Sequence, residues 1–218
     1  TALGQRSESL VRPFVEHYMA AGGARPYLRE LLRELQEWQR QGRIDKVAIF
    51  TSASNLNGWV DFLKRCMEEY AQTPGLFSQC LAREQSLQAA RTSGGVRTVK
   101  DLSLLSSDAN QVVLLDDKPQ YAINGYVIGL PEYDQSVNAA DLIQWMKARL
   151  PEHAEQIDTT FEKDSFNHPP SPIDYSGDQA LNGCINVLMQ LFPEPECNPL
   201  DMGFELGAQE VTPGCVSD

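Results

Sequence analysis

With 218 residues, 42% of them hydrophobic and 22% charged, the chain has the make-up of one sizeable soluble domain with a tail, and is too short for two full domains. No apolar run approaches the roughly 18 residues that cross a membrane, and the first twelve residues lack the apolar core of a signal peptide. The net charge of −12 is uneven: from Asp164 to Asp218 there are nine acidic residues and no lysine or arginine, so the body is near neutral and a diffuse basic surface for nucleic acid is excluded. Five cysteines without a C-x-x-C pair give neither a disulfide framework nor a zinc site, and free thiols are expected.

In chain order, Leu28, Leu31, Leu32, Leu35 and Trp38 repeat at helical spacing, with Pro26 suited to the first turn and Gly42 to the end. Lys46 to Phe50 is a short unbroken apolar run, the pattern of a strand buried on both faces of a parallel sheet. Trp59, Phe62, Leu63, Cys66, Met67 and Tyr70 mark a second helix that stops before Pro74-Gly75. Leu81 to Gly95 is polar and fits a small β-hairpin insertion or a flap. Two more strands are predicted at Val112–Leu115 and Tyr126–Leu130, then a helix over 139–150 that stops at Pro151. Strands alternating with helices predict an α/β fold of three layers, α/β/α, around a mostly parallel, Rossmann-like central sheet. Residues 1–163 are assigned to this domain. Residues 164–218 form an acidic, proline-containing tail with one candidate docking helix at 182–192.

In such sheets the chemistry collects at the carboxyl ends of the strands. Two apolar runs end there in Thr51-Ser52 and in Asp116-Asp117. The Thr51 hydroxyl and the N–H groups after it can donate to a phosphoryl oxygen. Capping the next helix is the plainer use of Thr51, Ser52 or Ser54. Adjacent carboxylates at a strand end repel each other, and magnesium, which takes one or two carboxylates plus waters and phosphate oxygens, neutralises them. A solvated turn into Lys118-Pro119 accounts for them equally well. Lys100 is by itself a surface charge; beside the carboxylate pair it becomes a phosphoryl-binding cation.

Taken as a series, Phe50-Thr-Ser-Ala-Ser54, Arg83-Glu84, Val99-Lys-Asp-Leu-Ser103 and Val113-Leu-Leu-Asp-Asp-Lys-Pro119 resemble the motifs of C-terminal-domain phosphatases of the haloacid-dehalogenase superfamily. Arg25-Pro26 resembles that family's Arg-Pro helix start, and the likeness covers about residues 25–150. It implies that Thr51 and Ser52 bind phosphate, that Thr51, Lys100 and Asp116 serve catalysis, and that Asp117, with Asp116, holds Mg2+. The family usually has Asp-Asn where this chain has Asp116-Asp117. The family's nucleophile and general acid/base are two aspartates of an Asp-x-Asp motif preceding the Arg-Pro helix, and no aspartate precedes Asp45. The expectation is that the sequence begins just after that motif, the alternative being a catalytically dead relative.

The resulting expectation is a magnesium-dependent phosphomonoesterase of the aspartyl-phosphate type, acting on phosphoserine or phosphothreonine in a phosphoprotein or phosphopeptide. A non-catalytic protein- or peptide-binding module of the same fold is the alternative. No direct nucleic-acid or membrane binding is expected, and the location is intracellular, in nucleus or cytoplasm. The acidic tail is a candidate for docking on the body, and residues 169–176, with Ser-Pro and Tyr-Ser elements, for self-inhibition against a plain linker reading. Structurally, the strands at 47–51 and 112–116 are expected to be parallel with one strand position between them. Leu31, Leu35, Phe62 and Leu114 are expected to be deeply buried, and Leu114→Ala to cost about 2–5 kcal/mol.

Overall fold

A computed structural model describes residues 5–56, 58–86, 99–133, 139–155, 157 and 177–193. The described residues open with a helix for which the sequence analysis states no expectation, α1 (Gln5–Tyr18), which runs into a π-type turn, Met19–Gly23. Pro13 lies inside α1, yet Val11, Phe14, Val15 and Tyr18 recur around it at helical spacing. Val15 of α1 and Met19 of the turn pack with Phe62 and Cys66 of the third helix. Then follow α2 (Leu28–Arg40), β1 (Val47–Phe50), α3 (Trp59–Ala71), β2 (Phe77–Leu81) and β3 (Lys100–Asp101). The order closes with β4 (Val113–Asp116), β5 (Ala122–Ile123), β6 (Tyr126–Gly129), α4 (Ala139–Arg149) and α5 (Ala180–Leu191).

Pairing is parallel throughout the described strands. β1 pairs with β2, β3 with β5 and β4 with β6. These are three separate two-stranded ladders, so the expected continuous central sheet is not formed among the described residues. β1 and β4 belong to different ladders and are not hydrogen-bonded to each other. Strand β2 was missed in the sequence because Phe77-Ser-Gln-Cys-Leu81 mixes polar and apolar residues. The described part of the expected hairpin insertion is instead the end of β2 and a helical turn at 83–86; residues 87–98 lie outside the described residues.

Side chains of β1 and β4 alternate between two cores, as the two-residue period of a strand requires. Val47 and Ile49 join Leu32, Leu76 and Phe77 beside α2, and Val113 and Leu115 join Leu31 and Trp38 of the same helix. Phe50 and Leu114 face the opposite core, around Leu102 and Val127. α2 thus lies under both ladders. Helix α5 covers α2 and the β4–β6 ladder with Leu181, Ile185 and Leu188. Its start is fixed by the half-turn before it: Arg25 Nε donates to Asp178 Oδ2 at 2.7 Å, and Asp178 Oδ1 accepts the Ala180 N–H at 2.8 Å. The linker and self-inhibition readings of residues 164–176 fall outside the described residues.

Leu31 and Phe62 are buried, at 4% and 6% exposure. Leu35 and Leu114 are only half-buried, which corrects the expectation for both. The cause is local. Every apolar residue of β1 before Phe50, and of β4 before Asp116, keeps intermediate exposure, because a cavity of about 800 Å³ separates the two strands.

At Gly125, between β5 and β6, a Cβ would lie 2.6 Å from Leu102 Cδ1 and 3.0 Å from Leu102 Cβ, so a side chain there would force the fully buried Leu102 to shift.

Candidate functional site

β1 leads into Thr51, whose N–H donates to Leu81 O at 2.9 Å and so extends the β1–β2 ladder by one residue. The chain then turns sharply. Thr51 Oγ1 accepts the Ala53 N–H at 3.1 Å, which leaves the hydroxyl proton free to donate. The turn is clamped from the segment after β2: Arg83 N–H donates to Ala53 O at 2.9 Å and Arg83 Nε to Ser52 O at 2.8 Å. Glu84 accepts from the Ser54 hydroxyl and from the Asn55 N–H. Those bonds, the Ser54 hydroxyl first, hold the Glu84 carboxyl below the usual carboxylate range.

The N-cap position of α3 is Gly58, and it is Asn55, not Thr51, Ser52 or Ser54, whose side chain bonds the helix start. Its Oδ1 accepts the N–H groups of Val60 and Asp61 in the first turn of α3, at 2.9 and 3.3 Å. An Asx side chain bonding a following helix is ordinary capping chemistry. Thr51 and Ser52 are therefore not used up by the helix.

Lys100 stands at the start of β3 and is aimed by its neighbour. Asp101 Oδ1 accepts the Ser103 N–H and hydroxyl at 3.0 and 2.7 Å and Asn124 Nδ2 at 2.9 Å. Burial pushes the Asp101 carboxyl up, but the Asn124 and Ser103 bonds outweigh it, and its pKa ends below the usual value. From that anchored strand Lys100 Nζ reaches Asp116 at the carboxyl end of β4 and forms an ion pair with its Oδ2. Both side chains are shielded, at 13% and 8% exposure. The other oxygen of Asp116 accepts the Lys118 N–H at 2.8 Å, in an Asx turn that reverses the chain after β4.

Of the sequence-selected residues, the structure brings Lys100 and Asp116 together. Thr51 and Ser52 sit at the end of the other ladder, and no hydrogen bond joins them to Lys100, Asp116 or Asp117. Asp117 is exposed and makes no hydrogen bond or ion pair with a described residue. Among the described residues there is no group of three or more His, Cys, Asp or Glu side chains able to hold a metal. The donor set is the pair Asp116-Asp117, with Asp116 engaged by Lys100 and Asp117 open to water. That suits an ion that takes one or two carboxylates and keeps its waters, as Mg2+ does.

Arg83, Glu84 and Asn55 organise the Thr51 turn, and none had been given a role from sequence. Asn55, just ahead of an apolar helical stripe, carried a readable cap signal. The reach of Glu84 over thirty positions carried none. Cys66, Cys80 and Cys184 are unpaired, and burial pushes the Cys66 thiol up to about 11, which makes it a poor nucleophile. No helix of the described residues is long and apolar enough to cross a membrane.

The family model described as NLI interacting factor-like phosphatase matches residues 7–149. No curated protein and no solved structure matches the chain.

Proposed function

The chain belongs to the NLI interacting factor-like phosphatase family, and from that premise we propose that it carries the phosphate-handling half of an aspartyl-phosphate-type phosphomonoesterase acting on phosphoserine or phosphothreonine of a protein. The observation that carries this reading is the shielded Lys100–Asp116 pair. A lysine from one ladder and a carboxylate from another meet at a strand end, where a phosphate ester would need a cation.

In this reading Lys100 offsets the charge on the phosphoryl oxygens, and the Thr51 hydroxyl with the N–H groups after it donates to them. Arg83 and Glu84 keep that turn in shape. Asp117, beside Asp116, would hold Mg2+, which when bound supplies Lewis-acid polarisation of the phosphoryl group. The covalent route needs a carboxylate nucleophile and an acid for the leaving group. Residues 1–44 contain no aspartate, so the residues proposed here bind and neutralise the phosphate ester but do not attack it.

That last fact also favours a second reading, a phosphatase-fold module that binds a protein or peptide without turnover. The test is calorimetric titration of the 218-residue chain with inorganic phosphate and with Mg2+, alongside hydrolysis of p-nitrophenyl phosphate. We expect weak binding of both ions and no turnover. Phosphate binding should be lost in Lys100→Ala, and Mg2+ binding should be weakened in Asp117→Ala. Phosphate affinity unchanged by Lys100→Ala would overturn the site. Robust hydrolysis would mean that another carboxylate of the chain attacks.

A further inference from the structure

We propose that Asn124 is a positioning residue of the phosphate site: acting through Asp101, it fixes where the Lys100 ammonium meets Asp116. This rests on the phosphate-binding role of Lys100 and deepens it, because the strand that carries Lys100 is too short to hold the lysine by its own pairing.

β3 is two residues long, and its ladder consists of Lys100 opposite Ala122 and Asp101 opposite Ile123 of β5. So short a pairing is marginal by itself. The Lys100 side chain must also cross from this ladder to β4, which pairs with β6. Where the ammonium ends up therefore depends on what fixes the two ladders relative to each other. Between the end of β5 at Ile123 and the start of β6 at Tyr126 lie only Asn124 and Gly125. This link meets the neighbours of both partners in the pair. On the β4 side, Tyr126 N–H donates to Val112 O at 3.0 Å, one residue before β4 begins. At Gly125 the backbone passes so close that a Cβ would lie 2.6 Å from Leu102 Cδ1 and 3.3 Å from Val112 O. On the β3 side, Asn124 Nδ2 donates to Asp101 Oδ1 at 2.9 Å, and Asp101 directly follows Lys100.

The backbone of Asn124 is left-handed, with φ of 60°, a conformation that asparagine takes more readily than most residues. The same Asp101 oxygen also accepts the Ser103 N–H at 3.0 Å and the Ser103 hydroxyl at 2.7 Å. Those two bonds are local to the turn after β3. Of the three, the Asn124 bond is the one that ties Asp101 to another element. Contact thus runs from Asn124 to Asp101, along the chain to Lys100, and across the ladders to Asp116. A lysine side chain is long and flexible, so its ammonium is only as well placed as the backbone beneath it, and a charged group serves a ligand only when so held. Asn124 needs no contact with phosphate in this arrangement, since it acts through Lys100.

The test uses the full 218-residue chain and its Asn124→Gly variant, which keeps the left-handed backbone and removes the amide. Asn124 is exposed, so the core is untouched. Thermal unfolding, affinity for inorganic phosphate by calorimetry, and the ammonium nitrogen NMR signal of Lys100, assigned by its loss in Lys100→Ala, are followed together. In the parent chain the signal should be visible, because the shielded pair with Asp116 slows exchange of its protons with water. Asn124→Gly should broaden or abolish it and weaken phosphate binding about three- to tenfold, the scale of one hydrogen bond, while unfolding stays cooperative. Ser103→Ala, at another exposed position, should act in the same direction, and it decides the matter if the glycine variant fails to fold. A merely structural role would lower the unfolding temperature and leave the ammonium signal and the phosphate affinity as they were. That result would overturn the proposal, as would a parent chain without the signal. Phosphate affinity unchanged in Lys100→Ala marks instead the failure of the phosphate reading of Lys100, and the response of the ammonium signal to Asn124→Gly then decides the positioning alone.

Discussion

Lys100 and Asp116 carry the residue-scale argument, because each is shielded and each is the other's charge partner. Removing one leaves an uncompensated buried charge, so Lys100→Ala should cost about 3 kcal/mol, whereas the double variant Lys100→Met with Asp116→Asn should recover much of that. A double-mutant cycle by urea unfolding reads the coupling, and additivity would show that the pair contributes nothing. Leu114 behaves differently from what its sequence promised. It is half-buried beside the cavity, so Leu114→Ala should cost about 1–2 kcal/mol, while Leu102→Ala, from a side chain at 0% exposure, should cost about 3–5 kcal/mol. Chemical denaturation of the two variants side by side checks the order.

At the scale of elements, α5 is tied to the body by apolar contact and by the Arg25–Asp178 pair, both side chains at 10% exposure. Burial pushes the Asp178 carboxyl up, but the hydrogen bond from Arg25 and the Ala180 N–H more than reverse this, and its pKa lies below the ordinary value of 3.8. A depressed folded pKa stabilises above the unfolded value and is lost as pH falls through the folded one. The docked α5 should therefore keep its full stability above about pH 5 and loosen in acid below about pH 4, the range of a free aspartate. Trp38, at 2% exposure in the same cluster, reports it. In a variant with Trp59 and Trp145 replaced by Phe, emission should shift red on acidification, and Asp178→Asn should abolish the acid step while lowering stability at pH 7. An acid shift persisting unchanged in Asp178→Asn would assign it to another carboxylate.

For the molecule as a whole, the charge of −12 sets what it avoids. At low salt, where electrostatic binding is strongest, no retardation of duplex DNA is expected, and a salt-sensitive gel shift would reveal a basic face that composition conceals. Composition, the helical stripes of α2 and α3, the strand at Val47–Phe50 and the motif series from Thr51 to Asp117 were all legible in the sequence. They rest on short-range periodicity and on residue type, which the chain carries locally. β2 was not legible, because mixed polarity hid a pattern whose burial is supplied by distant partners, whereas the stripe of α1, Val11, Phe14, Val15 and Tyr18, stood in the sequence without being used. The tertiary structure alone decided that Glu84 holds the Thr51 turn and that Lys100 meets Asp116. It alone also set β1 and β4 in separate ladders. The two side-chain contacts join residues 30 and 16 positions apart, and strand pairing depends on which edges meet after folding, so neither is encoded in any one stretch of chain.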